Sequence, residues 1–160
     1  MSTTLSAPQS AAQALHPTRL LSDKSLAYGV LRFAFGINIF GHGFIRVMTG
    51  TDKFVAWMLK EMQGTMLPEA IVRPFAYVVA WGELLLGLAL ILGLFTRTSL
   101  VLGGLLIAAL TFGTTLRQDW NIAGLQVTYS LLYFVLLYFR ENNNQLSVDS
   151  LLLAGKGKTN

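Results

Sequence analysis

Cysteine is absent from this chain, and its absence removes thiol–disulfide catalysis, iron–sulfur ligation by thiolates and covalent attachment of a c-type haem. Charge is scarce too. Asp, Glu, Lys and Arg make up 12% of the 160 residues against 53% hydrophobic residues, a balance of the membrane class and not the globular one. No basic run and no aromatic platform lies outside the apolar stretches, so no nucleic-acid partner is expected. The first 22 residues have no basic start followed by an apolar core and do not read as a cleaved signal peptide.

What the chain has in abundance is long apolar sequence. Four stretches, at 26–47, 75–94, 99–115 and 125–139, approach the roughly 20 predominantly apolar residues that a helix needs to cross a bilayer. Few residues remain outside them, so no soluble catalytic domain of ordinary size fits. The expected fold class is an all-α integral membrane four-helix bundle. The net charge of +4 comes largely from Lys and Arg near span ends, where they snorkel to headgroups.

The organisation follows from the polar breaks. Residues 1–24 read as a flexible N-terminal tail, 25–140 as one four-span membrane domain and 141–160 as a polar C-terminal tail carrying one short helix near 146–153. Ser25 or Ser22 suits the first helix cap. Between the first two spans, Phe54, Val55, Trp57, Met58, Leu59 and Met62 fall opposite Lys60 and Glu61 on a helical wheel, which predicts a short interfacial amphipathic helix. Pro74 suits the opening turn of the second span. The link from Gly93 to Arg97 is short enough to force an antiparallel hairpin. An even number of spans puts both termini on one side, and discounting Lys53 and Lys60 as interface anchors favours cytoplasmic termini in a bacterial inner membrane.

Ionisable residues within the spans are the candidates for function, because each needs a partner or water there. In the first span Asn38, His42 and Arg46 recur at four-residue spacing, with Arg32 near the edge of their stripe. Gly29, Gly36 and Gly43 follow at seven-residue intervals beside it, a spacing that admits a close neighbour and predicts that the polar sector faces protein. In the second span Glu83 shares a narrow face with Ala76, Ala80 and Gly87. If antiparallel helices align at mid-span, Glu83 lies level with Asn38, with His42 roughly 6 Å to one side and Arg32 roughly 9 Å to the other.

Three readings fit these residues. Arg32 and Glu83 can form a structural ion pair, with Asn38 and His42 tying helices together. Alternatively, His42 and Glu83 exchange protons with a quinone headgroup or another amphipathic ligand, with arginine holding an anionic partner. The third reading uses the small neighbours Gly41 and Gly43, which leave His42 open as an axial ligand to haem or chlorophyll. No other metal site is expected. A transporter fits less well, since four spans without an inverted repeat or broken helix leave little room for alternating access.

The segments Leu31–Arg32–Phe33–Ala34–Phe35–Gly36, His42–Gly43 with Arg46, Trp81–Gly82–Glu83–Leu84–Leu85–Leu86–Gly87 and Leu92–Gly93–Leu94–Phe95–Thr96–Arg97 resemble the DoxX/DoxD family over about residues 26 to 140. The resemblance implies a four-helix membrane bundle, and in DoxD-type members a subunit of an enzyme that passes electrons from thiosulfate to quinone. It places family positions on Arg32, His42, Glu83 and Arg97, with Arg46 standing where a lysine is expected. The expected protein is therefore a small membrane subunit of a quinone-linked oxidoreductase complex, with Glu83 and His42 handling protons and Arg32, Asn38, Arg46 and Arg97 as ligand-binding or ion-pair residues. The alternative is a non-catalytic accessory subunit of a respiratory or photosynthetic complex, contacting partner helices, lipids or pigment. Both readings imply membrane lipids and other membrane subunits as partners.

Overall fold

A computed structural model of the chain describes residues 21–156, with side chains through residue 153, so most of the tail expected at 1–24 lies outside the described residues. Their regular structure is helical: α1 (Asp23–Met48), α2 (Thr51–Glu61), α3 (Glu69–Leu92), α4 (Thr96–Leu116), α5 (Trp120–Asn143) and α6 (Val148–Lys156). Helices α1, α3, α4 and the helical stretch opening with α5 are each long and apolar enough to cross a bilayer. The protein is an all-α, multi-pass membrane bundle.

Local sequence sets the helix ends. Ser22, one of the two expected caps, accepts from the Ser25 N–H at 3.2 Å at the start of α1. The second span starts earlier than expected: extended Pro68 precedes Glu69, and Pro74 lies inside α3. Its missing N–H forfeits a single bond, the one to the carbonyl of Ala70 four residues back, and Ala70 is exposed. Helices α3 and α4 form the expected tight hairpin through Gly93 (φ 66°) and Phe95 (φ 46°).

In the bundle α3 lies between α1 and α4, and α5 closes the ring against α4 and α1. One core cluster joins Phe35 and Ile39 of α1, Leu90 of α3, Leu100 and Ile107 of α4, and Tyr133 and Leu136 of α5. Tyr133 packs edge-on to Phe35 with ring centroids 4.7 Å apart, in space left by Gly103, where a Cβ would come within 2.5 Å of the tyrosine ring. Helix α2 leaves α1 at Gly50 (φ 106°) and packs Val55 and Met58 on Val72, Ala76 and Val79 of α3. A short helix thus stands where the amphipathic pattern placed one, over the opening half of α3.

Two of the three spaced glycines of α1 set its fit to α3. The Cβ direction of Gly36 points at the Ile91 backbone and that of Gly43 at the Glu83–Leu84 backbone, while Gly87 of α3 faces the backbone of Phe40. Gly29 instead faces Leu146, beyond α5. That segment also ties the hairpin: the Asp149 carboxylate accepts from the N–H groups of Phe95 and Thr96 at 2.8 Å each, capping α4. Replacing Asp149 by alanine should cost about 0.5–2 kcal/mol, the worth of such a cap, seen as a lower thermal midpoint in detergent. An unmoved midpoint would mean that the cap contributes nothing.

Candidate functional site: a cavity beneath α2

Glu83, near the middle of α3, is 7% exposed and pairs with Arg46. The expected partner Arg32 is elsewhere. Because Gly43 sits against Glu83 and Gly36 against Leu90–Ile91, α1 is shifted along α3 by more than a turn from mid-span alignment. Arg32 accordingly reaches the end of α3, about 10 Å from the level of Glu83 at 1.5 Å per residue. There its guanidinium donates to the carbonyl oxygens of Leu90, Ile91 and Leu146. A cation at a helix C-terminus is favoured by the helix dipole and satisfies carbonyls that have no partner within the helix. The Arg32–Glu83 ion pair is thus replaced by two separate arrangements: Arg46 with Glu83, and Arg32 with backbone.

The polar stripe of α1 does not all face protein either. Asn38 and His42 are exposed and Arg46 is half-buried. On the helix Asn38 lies about 150° from the line through Gly36 and Gly43, whereas Arg46 lies about 70° from it. Close packing of the glycines on α3 therefore turns Arg46 inward and Asn38 outward. Arg97 is exposed in the first turn of α4, at the hairpin end, and does not join the others.

What the structure brings together is a cavity of about 470 Å³ under α2. Its walls are mostly apolar, with Trp57 and Met58 of α2, Phe75 of α3, and Ile107 and Leu110 of α4. Its polar groups are His42, Arg46 and Glu83 on one side, and Thr114, Arg117, Gln126 and Tyr129 on the other. The size and the few polar groups in an apolar wall match ordinary small-molecule sites. Arg46 is fixed twice, by Glu83 and by the face of the Phe54 ring 4.4 Å from its guanidinium carbon. Arg117 pairs with Glu61 at the end of α2 and lies 3.7 Å from Asp119. The Gln126 side-chain oxygen is buried with no partner among the described residues.

Arg117, Gln126, Thr114 and Tyr129 were not among the expected site residues. Arg117 had a legible signal, an opposite charge at Glu61 on the same side of the membrane. Gln126 had a weaker one, an amide at the second residue of the fourth apolar stretch. Of the residues expected to act, Glu83, His42 and Arg46 share the cavity wall, and Arg32, Asn38 and Arg97 do not line it. His42 also borders an open groove on the outside of α1, with Ile37, Asn38 and Gly41. Among the described residues no cluster of three or more His, Asp or Glu side chains could hold a metal ion.

Chemically, the arrangement can bind a mostly apolar molecule and meet its polar end with a guanidinium, a carboxylate and an imidazole. No curated protein and no solved structure matches the chain. The DoxX family matches residues 27–118, from the first turns of α1 to just past α4, and so takes in Arg46, Glu83 and His42. The protein is a member of the DoxX family of membrane proteins.

Proposed function

We propose that the cavity beneath α2 binds the head of a membrane-dissolved amphipathic molecule, a quinone in the form the family favours, and that the protein serves as a small membrane subunit of a redox complex. The observation that carries this reading is the apolar cavity with Arg46, Glu83 and His42 on one wall. Reduction of a quinone to its quinol takes up two electrons and two protons. A partner subunit's redox centre supplies the electrons, since this chain has no thiol and no metal-ligand cluster among the described residues. Arg46 donates to a quinone oxygen, and His42, on the same cavity wall, exchanges protons with the bound head. Glu83 orients Arg46 and exchanges protons with the bound head. The protein sits in a bacterial inner membrane with both termini cytoplasmic, a placement supported by the even number of spans and the Lys/Arg bias.

A second reading has its own observation. The Arg46–Glu83 pair joins α1 to α3, the two helices locked by glycine contacts, which is what a purely structural tie in an accessory subunit requires.

Trp57 lines the cavity, so quenching of its fluorescence by a short-tailed benzoquinone separates the two. Saturable quenching is expected, weakened about tenfold by His42→Ala, a loss of one or two hydrogen bonds, and abolished by Ala109→Phe, which fills the wall from an exposed position. Both positions are exposed, so the fold is retained. Linear, collisional quenching that is equal in all three proteins sinks the quinone reading and leaves the accessory one.

A further inference from the structure

The outer side of α1 carries strongly polar groups well inside a span. Asn38 and His42 are exposed there and have no hydrogen-bond partner among the described residues. By contrast the exposed Thr128 of α5 returns its hydroxyl to the Gly124 carbonyl at 3.4 Å. A side-chain amide turned toward acyl chains finds neither donor nor acceptor, and burying it unpaired in hydrocarbon is costly.

We propose that α1 pairs with α1 of a second copy of this chain, parallel and in register, with Asn38 against Asn38 across a twofold axis normal to the membrane. The occupant follows from chemistry and topology together. An amide offers two donors and an acceptor, so it is complementary to itself, as a twofold interface demands. Every copy inserts the same way up, so two α1 helices meet parallel and equivalent residues meet on the axis. The sequence around Asn38 has the matching period: Leu31, Asn38 and Ile45 form one seven-residue series and Ala34, Gly41 and Met48 another, alternating at three and four residues as the seam of a parallel two-stranded coiled coil does. These positions are exposed or half-exposed. The Cβ direction of Gly41 is open, with nothing within 4 Å, whereas those of Gly36 and Gly43 are filled by α3. Helix α1 therefore has two seams on different sides, one spent inside the bundle and one turned outward. A lone asparagine at such a seam position fixes register and orientation.

The chain's lack of cysteine makes the test direct. Single cysteines at Ala34, Asn38, Gly41 and Ile45 in the full-length protein, oxidised in native membranes, should give a product of twice the chain mass. Cysteines at Phe33 and Phe44, also exposed but roughly 100° around the helix, should not. Asn38→Leu, an apolar change at an exposed site, should weaken self-association on dilution in detergent about three- to thirtyfold, the range for one interhelical polar contact in a membrane. Equal cross-linking at all six positions, none at the seam positions, or a product with a different chain overturns the proposal. So does an Asn38→Leu protein that associates as tightly as the parent.

Discussion

Arg46→Met should remove about 3 kcal/mol or more from the unfolding free energy, making it one of the two most damaging single changes considered. Removing one partner of a buried ion pair leaves the other uncompensated, at a cost of about 3–5 kcal/mol. Glu83 is the more deeply placed partner, its side chain 9% exposed against 24% for Arg46. The exposure of Arg46 puts the effect at the lower end of that range. Loss of the contact with Phe54 adds about 0.5–1 kcal/mol. The same reasoning fixes the control: Glu83→Gln added to Arg46→Met removes the stranded carboxylate and should restore more than half of the loss. Unfolding by a denaturing detergent in mixed micelles measures both proteins. If Arg46→Met loses less than 1 kcal/mol, water reaches the pair and the cavity wall is not a desolvated site.

Gly43→Ala should be about as damaging, although it adds a single methyl group. That group would come within 2.6 Å of the Leu84 Cα and closer still to the Leu84 nitrogen, and backbone cannot swing aside as a flexible side chain can. Overpacking of this kind costs about 1–3 kcal/mol and occasionally more, and a clash with backbone belongs at the upper end. Gly87→Ala meets the Phe40 Cα at 2.5 Å, lies closer still to the Phe40 nitrogen, and should behave alike. Gly124→Ala, with nothing within 4 Å of its Cβ, should be neutral or slightly stabilising, since alanine is the better helix former by up to about 1 kcal/mol. Pushing α1 off α3 also draws Arg46 away from Glu83. Gly43→Ala and Arg46→Met should therefore be strongly non-additive, and simple additivity would show that the glycine contact does not position the ion pair.

The four spans, the α3–α4 hairpin and the short helix after the first span were legible because each rests on local information: apolar length, link length and amphipathic period. The pairing of Glu83 was not. Mid-span alignment pointed to Arg32 or His42, but where two helices meet is decided by which backbones can touch. Gly36, Gly43 and Gly87 carried that information, and matching the glycines of the two helices to each other would have brought Glu83 to Arg46. The same contact decides which sector of α1 faces inward, so the outward turn of Asn38 and His42 was hidden for the same reason. Arg32 was recognisable as a buried cation. Its acceptors were not, since they are main-chain carbonyls brought together only by folding, two at the end of one helix and a third from a segment more than a hundred residues away.

That third carbonyl, on Leu146, bears on biogenesis. During synthesis α1 enters the bilayer first, and Arg32 can settle against the carbonyls of Leu90 and Ile91 once the α3–α4 hairpin is inserted. Its contact with Leu146, and the grip of Asp149 on the start of α4, must wait until the ribosome has delivered all four long helices. Nascent chains stalled before residue 146 should therefore leave that end of the bundle unsealed and open to insertases and quality-control proteases, and closure should follow only once the segment carrying Leu146 and Asp149 has left the ribosome.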